Sequence, residues 1–145
     1  MQQFIYSDKG LALTKSFEGL QLTSYQDCAC VWTIGYGHTG PGLHAAMTIL
    51  ETDADRLLHF DLAESVACVN RAVTATISQH QFDAMVDFCF NAGRGSFQHS
   101  TLLRKVNSKD FAGAAIQFGL WVHAGGEVVD GLVRRRKAEA ELFAA

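Results

Sequence analysis

From Thr52 to Val73, apolar residues recur at three- and four-residue steps (Ala54, Leu58, Leu62, Val66, Val69, Val73), while Arg56, His59, Glu64, Asn70 and Arg71 fall elsewhere. This period belongs to one amphipathic helix, and Thr52 with Asp55 three residues on predicts a capping box at its start. Roughly 20 residues rising about 1.5 Å each make a rod of about 30 Å, the width of a small domain. A chain of 145 residues built on such a rod is expected to be one domain, with lobes at about 8–51 and 74–145 and a connecting helix at about 53–73.

Elements on either side of the rod are punctuated differently. Downstream, Ser78 and Gln81 form a second capping box ahead of Phe82, Met85, Val86, Cys89 and Phe90, with Gly93 and Gly95 as the stop. Ser100 to Val106 is a short helix by composition. Ser108 is expected to cap a segment through Phe111, Ala114, Ala115, Phe118 and Trp121, broken by Gly125 and Gly126, and Leu132 to Phe143 forms the last helix. Upstream, Ser7 caps a short helix over Asp8 to Phe17 that ends at Gly19. The β-prone pieces LTSYQD and VWTIGYG follow, bounded by Gly35, Gly37, Gly40, Pro41 and Gly42, and supply two or three short strands. The fold class is therefore α+β, mainly α, with a small N-terminal α+β lobe and a larger helical lobe joined by the long helix.

Composition narrows the partners. With 48% hydrophobic residues, 19% charged and one proline, the chain has the material for a core and no signature of disorder. No apolar run approaches the roughly 18 to 20 residues of a membrane span, and MQQFIYSDKG lacks the basic start and apolar stretch of a secretory signal. The expectation is a soluble chain that begins in the cytoplasm, without stable membrane insertion. A net charge of −3 argues against nucleic acid as a partner. That sum conceals four consecutive cations, Arg134 to Lys137, and a crowd of acids at Glu51, Asp53, Asp55, Asp61 and Glu64. Cys28, Cys30, Cys68 and Cys89 are expected as free thiols in a chain without an export signal. Together with His38 and His44 they lack the paired two-residue spacings of zinc sites, so neither metal nor cofactor is expected.

Carboxylates, hydroxyls, glycines and aromatics mix closely only between Phe17 and Thr39. Glu18 sits at the end of the first helix, where unpaired carbonyls and the negative end of the dipole disfavour an ionised carboxylate. Asp27 follows nine residues on, in a turn, and Thr33 six beyond that. Two carboxyls on separate elements can face one another across a cleft. Such a pair breaks a glycosidic bond when one is protonated and donates to the leaving oxygen while the other is ionised and activates water or attacks the sugar carbon. The spacing also fits a helix-end and a turn carboxylate in solvent, and does not choose between the two. Gly35 and Gly37, alternating with Ile34 and Tyr36, suggest a strand whose backbone closely approaches another segment or a ligand, with His38 next as a polar anchor.

FEG at Phe17 to Gly19, YQD at Tyr25 to Asp27 and WTIGYGHT at Trp32 to Thr39 resemble the catalytic block of phage-type lysozymes, the endolysins of glycoside hydrolase family 24. QFDAMVDFCFNAGRGSF, STLLRKVN and LVRRRKAEAELF resemble successive helices of that family, so the likeness runs from about Asp8 to Phe143. It implies a lysozyme-like fold and a muramidase that cleaves the β-1,4 bond between N-acetylmuramic acid and N-acetylglucosamine in bacterial peptidoglycan, with inversion, for host cell lysis. In its terms Glu18 is the general acid, Asp27 the carboxylate that orients or activates water, and Thr33 the hydroxyl that holds this water on the far face of the sugar. Arg135 aligns with an arginine that pairs with the acid, Arg134 and Arg136 being one register away; the other reading is a solvated basic helix end. Trp121 is either an indole that stacks on sugar or a core residue, and Asn91, Gln98 and Ser100 are candidates for saccharide or peptide hydrogen bonds.

The resemblance also implies a monomer that waits in the host cytoplasm and reaches the periplasm and wall after a separate holin permeabilises the membrane. Some relatives control activity through a cysteine near the catalytic loop, which makes oxidation of Cys28 or Cys30 a perturbation to consider. Two other function classes stand beside the muramidase. A lytic transglycosylase would give 1,6-anhydro products, and Asp27 and Thr33 argue against it; a non-catalytic peptidoglycan-binding member is opposed by the presence of all three residues.

Overall fold

The computed structural model describes residues 2–145. The chain divides into two compact units, one of Thr14–Ala63 and one formed by the chain up to Leu13 together with Glu64–Ala145. Helices α1 (Asp8–Glu18) and α2 (Glu51–Ala72) each contain one of the two boundaries.

In the unit Thr14–Ala63, α1 ends at Glu18 because Gly19 takes a left-handed φ of +70° and returns its N–H to the Lys15 carbonyl at 3.1 Å. Its start is capped as expected, with the Gly10 N–H donating to Ser7 Oγ at 3.2 Å. An antiparallel sheet in the order β1 (Gln21–Gln26), β2 (Trp32–Gly35), β3 (His38–Thr39) follows. Its register sets Tyr25 opposite Thr33 and Ile34 opposite His38. Ile34, Tyr36, Ala54, Leu58 and Leu62 are the buried apolar residues of the unit. Helix α2 has the length its periodicity predicts, but its cap lies elsewhere. Leu50 is the cap residue, its N–H donating to Asp53 Oδ2 at 3.0 Å, and Thr52 and Asp55 lie inside the helix. Asp55 is drawn instead to Lys15, at 2.8 Å.

The other unit is organised on α3 (Gln79–Ala92), where Phe82 to Cys89 are all buried. A helix covered on every side has no polar face, so its two acids must be paired inside the protein. Asp83 accepts the Ser7 N–H at 3.2 Å, the Ser7 hydroxyl, and Gln79 Nε2 at 2.8 Å. Asp87 accepts both arms of the Arg135 guanidinium, from α7 (Asp130–Ala144). The N-terminal segment is fastened by Phe4, which exchanges two hydrogen bonds with the Asn70 side chain (2.9 and 3.0 Å) and stacks on Phe82 at 5.0 Å.

Between α3 and α7 lie α4 (Arg94–Gln98), α5 (Thr101–Asn107), α6 (Phe111–Gln117), a 3₁₀ turn at Phe118–Leu120, and a hairpin of β4 (His123–Ala124) and β5 (Glu127–Val128). Three sequence expectations change here. Gly93, with φ +104°, ends α3 alone, while Gly95 lies inside α4. Asp110, not Ser108, caps α6 by accepting the Gly113 N–H at 2.9 Å; Lys109 turns the chain with φ +65°, and the Ser108 hydroxyl donates back to the Lys105 carbonyl. Gly125 and Gly126, at φ +60° and +82°, do not merely break a helix: they make the two-residue turn of a hairpin.

The Ser78–Gln81 capping box is complete, with Gln81 N–H to Ser78 Oγ at 3.1 Å and Ser78 N–H to Gln81 Oε1 at 2.9 Å. Ser78→Ala is expected to lower unfolding stability by about 1 kcal/mol, read as a shift of the urea midpoint without a change in slope.

Candidate active site

Glu18, Asp27, Thr33 and His38 all fall in the unit Thr14–Ala63, whereas Trp121 and Arg135 belong to the other unit. Glu18 is the last residue of α1 and is half-buried. The turn between β2 and β3 comes against it: a Cβ placed on Gly37 would stand 3.1 Å from Glu18 Oε2. Gly37 has φ +78°, and Gly35 before it has φ +69°, where an added Cβ would stand 3.4 Å from that of Ala54. The close backbone approach expected at these glycines is thus made to the candidate acid and to α2. Lys15, one turn before Glu18, pairs with Asp55 and places its ammonium 5.4 Å from the Tyr36 ring centroid. The hydrogen bond to Asp55 raises the Lys15 pKa, against the opposing effect of burial.

Asp27 closes the β1–β2 turn. Its Oδ1 accepts the N–H groups of Ala29 (2.8 Å) and Val31 (2.9 Å), its backbone N–H donates to the Val31 carbonyl at 3.0 Å, and its carbonyl accepts from Cys30 at 2.9 Å. Among the described residues nothing bonds to Oδ2 of this half-buried side chain. Thr33, buried in β2, donates its hydroxyl to the Val31 carbonyl at 3.0 Å, which leaves the oxygen lone pairs as acceptors. Both residues therefore take their orientation from the backbone of Val31. Cys28 and Cys30 are exposed free thiols in the same turn, Cys30 with φ +60°.

His38 points Nδ1 at both oxygens of Asp61 (3.0 and 2.9 Å), which sets Nδ1 as the donor to the carboxylate and anchors the start of β3 to α2. The sequence reading placed His38 but not its partner. Asp61 stands in the acidic run of α2, and so does Asp55, but only the folded structure shows that these two acids are the ones that meet His38 of the sheet and Lys15 of α1.

In the other unit, Arg135 is 5% and Arg136 2% exposed, which removes the reading of a solvated basic helix end; Arg134 and Lys137 are exposed, but they too lie inside α7 and not at its end. Arg135 forms a bidentate pair with Asp87, both bonds 2.9 Å. Arg136 donates to Glu139 (2.7 and 3.0 Å), to the Trp121 carbonyl (2.9 Å) and to Asn91, and lies over the Phe88 ring. Trp121 is half-buried: its indole meets Phe88 edge-on at 5.4 Å and lines an open cavity of about 370 Å³ with Asn91, His123 and Arg136. Burial pushes Glu139 up to about 10, the hydrogen bond and charge of Asp87 add to the rise, and Arg136 opposes it.

Residues 15–139 match the phage lysozyme family, and the chain belongs to that family. It is 40% identical over 141 residues to an endolysin of Acyrthosiphon pisum secondary endosymbiont phage 1, covering 94% of this chain and 96% of that protein. It is 42% identical over 139 residues to an endolysin of Bacillus phage B103, covering 94% of this chain but 53% of the relative, so it spans about half the length of that protein. Among solved structures it is similar to the muramidase domain of SpmX from Asticaccaulis excentricus, with a TM-score of 0.89 and 40% identity over 97% of this chain and 98% of that one. The mainly α, lysozyme-like α+β fold expected from the sequence is the fold of these proteins.

Two predictions test this geometry. Gly37→Ala strains a left-handed residue by about 1–2 kcal/mol and puts a methyl against Glu18, so it lowers both Tm and the rate of wall lysis. Gly42→Ala, at φ +88° with nothing within 4 Å, lowers Tm without lowering the rate. Equal rates in the two variants would remove the contact from consideration. Glu139, raised from 4.5 when folded, contributes stability that is full below about pH 4.5 and is lost as pH climbs toward 10. Glu139→Gln keeps the shape and stays neutral, so its urea midpoint gains on the wild type from pH 5 to pH 9; a difference independent of pH would contradict the shifted acid.

Proposed function

We propose that this chain is an endolysin-type muramidase that hydrolyses the β-1,4 bond between N-acetylmuramic acid and N-acetylglucosamine in peptidoglycan, with inversion at the anomeric carbon. The observation that carries this reading is the asymmetry of Asp27. One oxygen is committed to two backbone N–H groups, and the other is left to accept from a water. Thr33, whose proton goes to the Val31 carbonyl, offers a second acceptor. A water with both protons accepted in this way keeps a lone pair for the sugar carbon.

Glu18 supplies the other half of the chemistry. Protonated, it donates to the glycosidic oxygen as that bond breaks, and the attacking water passes its proton to Asp27, which stayed ionised. The sum is one water added across the bond, with a new reducing end on the muramic acid. His38 is the anchor of the turn that faces Glu18. Trp121 is proposed as a surface for saccharide, and Arg135 as a supporting cation. The same reading includes a monomer with peptidoglycan as its partner, held in the host cytoplasm until a separate holin opens the membrane. No described helix is long and apolar enough to cross a membrane.

Glu18→Gln, which cannot give a proton, should lower hydrolysis of purified walls by at least about a hundredfold with the circular dichroism spectrum unchanged; a comparable rate would rule out this acid. Asp27→Asn should lower the rate similarly while saccharide binding persists. Mass spectrometry of the digest should show reducing-end muropeptides, and NMR of the first product should show the α anomer. Anhydro sugars would establish a transglycosylase, and intact walls a binding protein.

A further inference from the structure

Lys15 meets three elements at once. It extends from α1, pairs with Asp55 on α2 at 2.8 Å, and lies 5.4 Å from the ring centroid of buried Tyr36 in the β2–β3 turn. Glu18 stands three residues on, so the two side chains are neighbours on one helix face. The turn matches them in order: Tyr36 sits against Lys15 and Gly37, the next residue, against Glu18.

The ion pair is ill placed to stabilise the protein globally. Its side chains are 28% and 39% exposed, and half-solvated pairs contribute little net stability. What it does do is local. The last turn of a helix has lost half its backbone bonds and frays readily, and β1 beyond Gly19 is almost wholly exposed. A tether one turn before Glu18, fixed to both α2 and the hairpin turn, sets the direction in which that residue leaves the helix.

We propose that Lys15, braced by Asp55 and the Tyr36 ring, is a positioning residue that holds the last turn of α1 so that Glu18 meets the β2–β3 turn in one register. This rests on Glu18 being the acid of the proposed reaction. A misplacement of about 1 Å at a reacting group can cost up to about a hundredfold in rate. A displaced acid impairs the chemical step and leaves ground-state binding in place, so the loss is expected in kcat.

The test compares Lys15→Met, which keeps the stem and the contact with Tyr36, Lys15→Arg, which keeps the charge, and Asp55→Asn. Each is assayed for kcat and KM on soluble peptidoglycan strands well below its Tm. Lys15→Met and Asp55→Asn are expected to lose about tenfold in kcat, with KM and Tm almost unchanged, and Lys15→Arg to recover most of it. Wild-type kcat in Lys15→Met, whatever its Tm, overturns the proposal, as does a loss expressed only in KM. Glu18→Gln run alongside separates the two readings. If it still turns over, the acid is misassigned; if it is dead while Lys15→Met is fully active, only the role of Lys15 falls.

Discussion

Two carboxylates buried in the middle of α3 constrain their unit more than any other feature. An ionised group cannot remain in an apolar interior without partners, and each acid takes at least one partner from a distant part of the chain. Asp83 takes Ser7, which caps α1, and Asp87 takes Arg135 of α7. The start of the first helix and the last helix are thus tied to the same central helix, one by hydrogen bonds from Ser7 and the other by an ion pair. Arg136 extends the arrangement, linking Glu139, Asn91 and the backbone of Trp121. This is why two of four consecutive cations are buried while their neighbours are solvated.

A different economy governs the unit that carries the candidate acid. Few side chains there are large or buried, and orientation comes from backbone: Val31 supplies an N–H to Asp27 and a carbonyl to Thr33, and a glycine turn lies against Glu18. Backbone groups in a short sheet have little freedom to rotate, so they hold a carboxylate and a hydroxyl more firmly than flexible side chains would. Two of its side-chain pairs, Lys15 with Asp55 and His38 with Asp61, anchor α1 and the sheet region to α2.

The site was legible in unequal parts. Glu18, Asp27 and Thr33 could be picked out because their order and their glycine-rich surroundings resemble one family, and the matching family covers residues 15–139. Asp55 and Asp61 could not be separated from Glu51, Asp53 and Glu64, since pairing with Lys15 or His38 depends on which helix face meets the sheet. The fold shows the same division. Caps at Ser7 and Ser78 were visible because each puts a hydroxyl ahead of an apolar helical period, whereas the cap at Ser100 appears only in the structure. Thr52 and Ser108 satisfied the same rule and are not caps, because Leu50 with Asp53 and Asp110 supply the acceptors instead.

By itself the sequence determined most of the element types and the long helix, which depend on periodicity within short stretches, where each residue's neighbours in the chain are its neighbours in space. The three residues of the candidate chemistry were named by the resemblance of their motifs to one family, since their spacing alone also fits solvated carboxylates. Only tertiary structure decided that Arg135 and Arg136 are buried, that Gly125 and Gly126 turn a hairpin, and which oxygen of Asp27 is committed. Each of these depends on what a residue meets across the fold, and for a charged or polar group that partner decides whether it is solvated, buried or held ready.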